Sequence, residues 1–338
     1  VKPLAARKDL PLQKGQSDNS AEIEAQFATE LERLAGISIA KIGICVVAVS
    51  GGPDSMALLA LANKMPDLTI IAATVDHQLR SESHAEAAMV AQFCAQHDID
   101  HAILLPEEPI TGNVQSRARD CRYALLQQCA QAKGAQCILT AHHADDQLET
   151  LIMRLNRGSG VAGMAAIRAV HKGDGDVAIM RPCLPFTKEQ LVDYVTAQKI
   201  PFITDPSNEN RAFDRVQIRQ ALASCDWLDP IAANRTAQAL DNANMALVWA
   251  GEHFAKSHLK CANDHAAINP DDLPEEILLR LVFLALQHLR PDYQPRGSAL
   301  NRVAQSLKSR KKTMQGDILC SIKGDIWYFA PAPPRKLS

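Results

Sequence analysis

An apolar run rich in β-branched residues breaks at two glycines and gives way to a second apolar run in VVAVSGGPDSMALLALA, Val46 to Ala62. The first run suits a buried strand and the second a helix, so the chain must turn sharply at Ser50, Gly51 and Gly52. Without Cβ atoms, glycines at such a turn let an anion approach backbone N–H groups closely. The helix that follows, starting near Asp54 or Ser55, aims its positive end at the same place. Asp54 and Ser55 supply a cap and a further polar contact. No lysine follows the glycines and the spacing is not G-x-G-x-x-G, which excludes the lysine-bearing and dinucleotide loops.

The surrounding sequence predicts an α/β fold: a doubly wound, mostly parallel sheet. Short runs rich in Val, Ile and Leu recur at 44–49, 68–75, 101–105, 136–140 and 177–180, with little polar alternation. Strands buried on both faces of a parallel sheet read this way. Helical patterns lie between them. Ser83 with Glu86 and Thr187 with Gln190 have capping-box spacing, and Asn113 can cap the helix running through Ala130. Ligands of such a sheet are expected at the carboxyl ends of its strands. After Asp229 the pattern turns mainly helical, with a hairpin expected around Lys323-Gly324-Asp325. The expected division is a flexible leader over 1–21, a nucleotide-binding catalytic domain over 22–226 and a smaller, mainly helical domain over 227–338.

A second polar-dense segment, ILTAHHADDQLETLIMRLNRGSG, follows the run at 136–140 and so emerges at the ligand edge. In a helix beginning near Ala144, Asp146 and Glu149 share a face, as do Asp145 and Glu149. These carboxylates could hold a magnesium ion or grip the ammonium of an amine substrate. A dinuclear hydrolase site is the alternative, though only Asp76 and His77 offer further ligands at strand ends. Arg154 and Arg157 lie three apart, and Gly158-Ser159-Gly160 ends the helix.

Composition narrows the chemistry. The nine cysteines are scattered with no C-x-x-C pair, which disfavours zinc, iron–sulfur and disulfide roles and suits buried thiols in a reducing cytosol. No apolar run is long enough to cross a bilayer, so a cytoplasmic protein is expected. The net charge of −2 hides basic clusters: from Arg290 onward there are ten Lys or Arg against three Asp. Such patches are compatible with nucleic acid.

Six segments then occur in a telling order: SGGPDS, VDHQLR (75–80), RARDCRYALL (117–126), TAHHADDQLET (140–150), RLNRGSG (154–160) and DPSN (205–208). SGGPDS resembles the loop of the PP-loop ATP pyrophosphatases, which cleave ATP between its α- and β-phosphates. The whole set resembles the bacterial tRNA(Ile)-lysidine synthetases, densely over residues 40–225. The resemblance implies that the wobble cytidine of an isoleucine tRNA with a CAU anticodon is adenylated at C2. The ε-amine of free L-lysine then displaces AMP. It implies ATP and Mg²⁺ at Ser50, Gly51, Gly52, Pro53, Asp54 and Ser55, and adenosine beside Thr74, Val75, Asp76 and His77. Catalytic roles fall to Asp54, Asp146, Glu149 and Arg122, with Asp146 also a candidate Mg²⁺ ligand. Contacts to tRNA are expected from Arg80, Arg119, Arg154, Arg157, Arg215, Arg219, Lys311 and Lys312. A homodimer is one open option. Three positions depart from the family pattern: Val216 stands where Asn is usual, Gln78 where Gly is common, and Cys183 where Leu is usual. A thiolase of the same superfamily and an RNA-binding protein without chemistry are the competing readings; the first is opposed by the lack of paired cysteines.

Overall fold

The computed structural model describes residues 19–76, 83–106, 114–172, 177–203, 214–222, 224–295 and 297–333. Residues 1–18 of the expected leader, Asn113, His77, Gln78, Arg80 and the DPSN segment lie outside these residues, while Ser20 and Ala21, also expected in the leader, belong to the first helix. By internal packing the chain forms two units: Val1–Thr150 with Ile167–Asn234, and Leu151–Ala166 with Arg235–Ser338.

The first unit opens with helix α1 (Ser20–Ala35), whose Phe27 and Leu31 are fully buried. Strand β1 (Ile44–Ala48) runs into the glycine turn and helix α2 (Pro53–Asn63). Then follow β2 (Thr69–Val75), α3 (Ser83–Gln96), β3 (Asp100–Leu104), α4 (Val114–Ala132), β4 (Cys137–Leu139) and α5 (Ala144–Asn156). After the short α6 (Val161–Met164) come β5 (Val170–Lys172), β6 (Ala178–Met180), α7 (Lys188–Ala197) and α8 (Asp214–Leu222). The strands form one sheet in the order β3-β2-β1-β4-β6-β5, parallel except for β5. All five strands expected from apolar runs are present. The sixth, β5, was not expected: its three residues are exposed, so no apolar pattern marks it.

Burial explains why these segments are strands. Cys45, Val46 and Val47 of β1 and all three residues of β4 are completely enclosed. Side chains at alternate positions face opposite layers, each with its own apolar cluster. Helix α2 is almost uniformly apolar because Met56 through Ala62 are all buried. Thr187 and Gln190 form the expected capping box at the start of α7. The order places the chain's reversal between β1 and β4, which pair Cys45 with Cys137 and Val47 with Leu139. A crevice at such a reversal is where open α/β sheets hold ligands.

The second unit contains the remainder of α9 (Pro230–His258), α10 (Glu275–Leu289) and α11 (Gly297–Lys308). It also holds an antiparallel sheet of β7 (Leu259–Ala262), β8 (His265–Ile268), β9 (Thr313–Gln315), β10 (Ile318–Lys323) and β11 (Ile326–Pro331), in the order β7-β8-β11-β10-β9. The expected terminal hairpin is there, turning at Gly324-Asp325 with Gly324 at φ +66°. The sheet as a whole is larger than the helical pattern suggested. Helix α9 stops at His258, and a tight turn at Asn263-Asp264 sends the chain back as β8. Leu281, Val282, Trp327 and Phe329 anchor this unit's core.

Two substitutions in the first unit should differ by their mechanism. Leu59→Ala empties a fully buried site and should cost about 2–5 kcal/mol. Thr187→Ala removes a cap and should cost about 1 kcal/mol. Urea unfolding of both variants checks the ordering.

Candidate active site

The glycine turn is built by its own hydrogen bonds. The Ser50 N–H donates to Ser55 Oγ at 3.1 Å, and the Ser55 hydroxyl donates to the Gly52 carbonyl at 2.9 Å. The Ile203 N–H, from beyond α7, closes onto the Gly51 carbonyl at 2.9 Å. Gly51 has φ +84°, a region that disfavours side chains. Gly52 differs: at φ −74°, ψ 161° any residue could stand there, and an added Cβ would meet nothing closer than 3.8 Å. As the N-cap of α2 it contributes no side-chain bond, although Ser or Asp would cap better. Its identity is therefore not dictated by folding; it leaves open space beside first-turn N–H groups, as an anion cradle requires.

Beside this turn lies the second polar segment. Thr140 through His143 connect β4 to α5, and the Ala144 N–H donates to the Phe186 carbonyl at 2.8 Å. His143, 3% exposed, sits among three carboxylates. Its Nε2 lies 3.6 Å from Asp54 and 3.4 Å from Asp146, and its Nδ1 3.4 Å from Asp145. Burial alone would push the imidazole down; the adjoining carboxylates of Asp145, Asp54 and Asp146 overcome that and raise it to about 10. His143 thus links the glycine helix to the second segment as an imidazolium, a role not assigned to it from the sequence. The signal was the H-H-x-D-D spacing at a strand end. One oxygen of Asp54, Oδ1, is buried without a partner.

The acids divide by use. Asp145 accepts from the Lys188 N–H at 2.7 Å and so ties α5 to the start of α7. Burial opposes its ionisation, but His143 and that N–H hold its carboxyl below the ordinary value. Asp146 Oδ2 accepts from the His143 N–H at 3.2 Å, while Oδ1 accepts from Arg215 at 3.0 Å. Glu149, 3% exposed, accepts from Arg215 Nε at 2.8 Å and from Arg219 at 2.6 and 3.2 Å. Arg215 and Arg219, expected from sequence to meet tRNA, are brought onto the two acids and stay partly exposed. The side chain of Val216 between them is not described.

The other expected residues are placed as follows. Thr74 is buried and its hydroxyl is hydrogen-bonded to His101 Nε2 at 2.9 Å, and Val75 and Asp76 end β2 at the same edge. Arg119 and Arg122 are exposed on α4, with the Arg119 guanidinium 5.1 Å over the Tyr123 ring. Arg154 and Arg157 are exposed and belong to the second unit, as do Lys311 and Lys312. Of the neighbouring basic residues, Lys308 is paired with Glu275 and Arg310 with Asp325. A cavity of about 500 Å³ lined by α1 and residues 38–40 and 65–67 lies at the opposite, amino edge of the strands and shares nothing with this site.

Comparison with known proteins accords with this geometry. A PP-loop domain family matches residues 23–225. The chain is 39% identical over 300 residues to the tRNA(Ile)-lysidine synthase of Zymomonas mobilis subsp. mobilis, covering 88% of this chain and 90% of that one. It is 38% identical to the enzyme of the same name from Novosphingobium aromaticivorans, covering 87% and 90%. The chain belongs to the tRNA(Ile)-lysidine synthase family. Among solved structures, the U34-tRNA thiolase NcsA of Methanococcus maripaludis superposes with a TM-score of 0.54 at 14% identity, covering 66% of this chain and 79% of that one, a likeness of fold. Membership of the tRNA(Ile)-lysidine synthase family makes this an ATP-using PP-loop domain. Cys45, Cys137 and Cys183 are buried, and hydrogen bonding between the first two, then burial, holds the Cys45 thiol far above its ordinary value. No helix among the described residues is long and apolar enough to cross a membrane.

Two outcomes follow. Glu149→Gln should loosen α8, speeding amide exchange across Asp214–Leu222 and costing about 1–3 kcal/mol, less than a wholly buried pair because both arginines are partly exposed. His143→Gln, measured in chelator, should cost on the order of 2–4 kcal/mol at neutral pH. Because the folded value lies above the ordinary 6.5, that stabilisation is full below 6.5 and fades as pH rises through about 10. A gap from wild type that stays constant up to pH ~10.5 would assign the loss to packing instead.

Proposed function

We propose that the chain joins free L-lysine to C2 of the wobble cytidine of an isoleucine tRNA with a CAU anticodon, consuming ATP and releasing pyrophosphate and AMP. The observation that carries this reading is the convergence of the two signature segments, with Asp54 and Asp146 both within 3.6 Å of His143 Nε2. A phosphate cradle and an acid cluster at one sheet edge suit a reaction that first activates an oxygen with adenylate and then presents an amine.

In this reading Ser50 through Ser55 hold the ATP phosphates, and the end of β2 borders the adenosine. The buried, unpartnered Oδ1 of Asp54 offers an oxygen to a Mg²⁺ accompanying those phosphates; Asp146 already has both oxygens engaged. An oxygen donor suits that ion, whose charge would balance the phosphates. The residues 22–226 form the catalytic part and 227–338 contact tRNA, in a cytoplasmic setting.

Lysine must attack as a neutral amine, although its free pKa is about 10.4. Unpaired carboxylates would favour the ammonium. Asp146 and Glu149 are compensated by Arg215, Arg219 and His143, so they can orient the amine without stabilising its charged form as strongly. Arg122, exposed on α4, is available to the departing adenylate, and Arg119, Arg154, Arg157, Lys311 and Lys312 to RNA phosphates. The cytidine must leave the anticodon stack for its C2 to be reached, at a cost of a few kcal/mol, roughly, that is least in a loop.

Incubation with ATP, labelled lysine and unmodified tRNA of this anticodon should place lysine in the RNA. Tight tRNA binding without incorporation would refute the reading. Asp146→Asn should lower turnover by about 10²-fold or more while leaving the fold's circular dichroism unchanged; near-normal turnover would remove Asp146 from the chemistry.

A further inference from the structure

Arg181 is a buried cation that neither the family resemblance nor the acid cluster accounts for. It follows β6 directly, at the carboxyl edge of the sheet, and its N–H donates to the Ala169 carbonyl at 2.9 Å. Its residue exposure is 5%. Nη1 donates to the Arg168 carbonyl at 2.6 Å, and the side chain lies beside Tyr123, whose influence favours its charged form. Nε is buried with no partner, and among the described residues no carboxylate pairs with the guanidinium. A buried charge without a counter-ion is expensive, and arginine cannot shed its proton to escape the cost.

The neighbours deepen the imbalance. Arg119 leans over the Tyr123 ring and its Nη2 reaches the Tyr123 hydroxyl at 3.5 Å. His142, at the end of β4, is pushed well below its ordinary value by burial and then by Arg181, Arg119, Arg215 and His143. It therefore stays neutral and adds no relief. The site is thus divided: acids gather around His143, and unbalanced guanidinium charge gathers around Tyr123.

We infer that Arg181, with Arg119 and Tyr123 beside it, forms an oxyanion subsite that binds a carboxylate or phosphate oxygen of a substrate. The inference deepens the reading above and rests on it for the identity of that substrate. The α-carboxylate of lysine is one source: its ammonium end would face the acids while the aliphatic stem spans to the guanidinium. A phosphate of ATP or of the anticodon loop is the other. An oxyanion would accept from the free Nε, and the planar fork of arginine suits it better than a lysine ammonium would.

The test compares wild type with Arg181→Met, Arg181→Lys and Arg119→Gln in steady-state lysidine formation, varying lysine, ATP and tRNA in turn. Arg181→Met should raise the KM of one substrate by about 10- to 100-fold, with Arg181→Lys recovering part of the loss. Arg119→Gln, at an exposed position the fold tolerates, should move the same KM in the same direction. If lysine is the source, lysinamide should be an equally poor substrate for wild type and Arg181→Met. If a phosphate is the source, the rise falls on ATP or tRNA and lysinamide still separates the two proteins' KM values no differently from lysine. Calorimetry with inorganic phosphate and with acetate asks the same question without turnover: wild type should bind one of them more tightly than Arg181→Met does. That difference in a wild type that makes no lysidine would sink the functional reading and leave the subsite standing. Unchanged KM values and anion binding, with the melting temperature alone reduced, would reduce Arg181 to a tie between Arg168 and Tyr123 and overturn the inference.

Discussion

The parallel pairing of β1 with β4 is the constraint on which the rest of the first unit depends. Neither segment carries chemistry within the strand itself; each delivers a loop to the same edge. Three registered pairs, from Cys45 with Cys137 to Val47 with Leu139, fix where Ser50 and Thr140 emerge. The strands are enclosed on both faces, so a slip of one residue would drive a whole set of side chains into the wrong layer. Rigid burial beneath and loose, polar chain above is the usual division of labour in such sheets, and here it places two stretches 90 residues apart in sequence beside one another.

Above that edge, charge compensation organises the site. Three carboxylates surround one imidazolium, and two arginines from α8 complete the balance around Asp146 and Glu149. The acids are consequently held in fixed directions before any substrate arrives, which is the preorganisation that makes electrostatic stabilisation effective. The same network binds α8 to α5, so the acids proposed to act in the chemistry double as structural ties. Separating the two roles by substitution needs readouts of both stability and turnover.

Much of this was legible in the sequence because local pattern and global fold agree. Apolar runs with little alternation announced buried parallel strands, and all five appeared. The two glycines announced the sharp turn from β1 into α2, and Thr187 with Gln190 announced the start of α7. What escaped reading was what depends on distant partners. The strand β5 is exposed and three residues long, so nothing periodic reveals it. The hairpin at 259–268 hides behind the long helical pattern of α9, because the helix end at His258 carries no glycine or proline to mark it. Arg215 and Arg219 read as phosphate ligands because sequence shows their charge and spacing but not that Glu149 waits behind them. Arg181 offered one cue, its place just past a strand on the ligand edge, and the family pattern drew attention to the residues around it instead.

Gly52 sets protein engineering at odds with the site. It caps α2 with no side chain, in a backbone conformation open to any residue and with room for a Cβ. A search for thermostability would select it early, since Ser or Asp would satisfy the vacant N–H groups and firm up the helix. Such a replacement would have the protein bind itself, filling with its own oxygen the place that the proposed function gives to a phosphate. The loop forgoes that internal bond, and under the proposed function the resulting small instability is the form in which affinity for an external anion is stored.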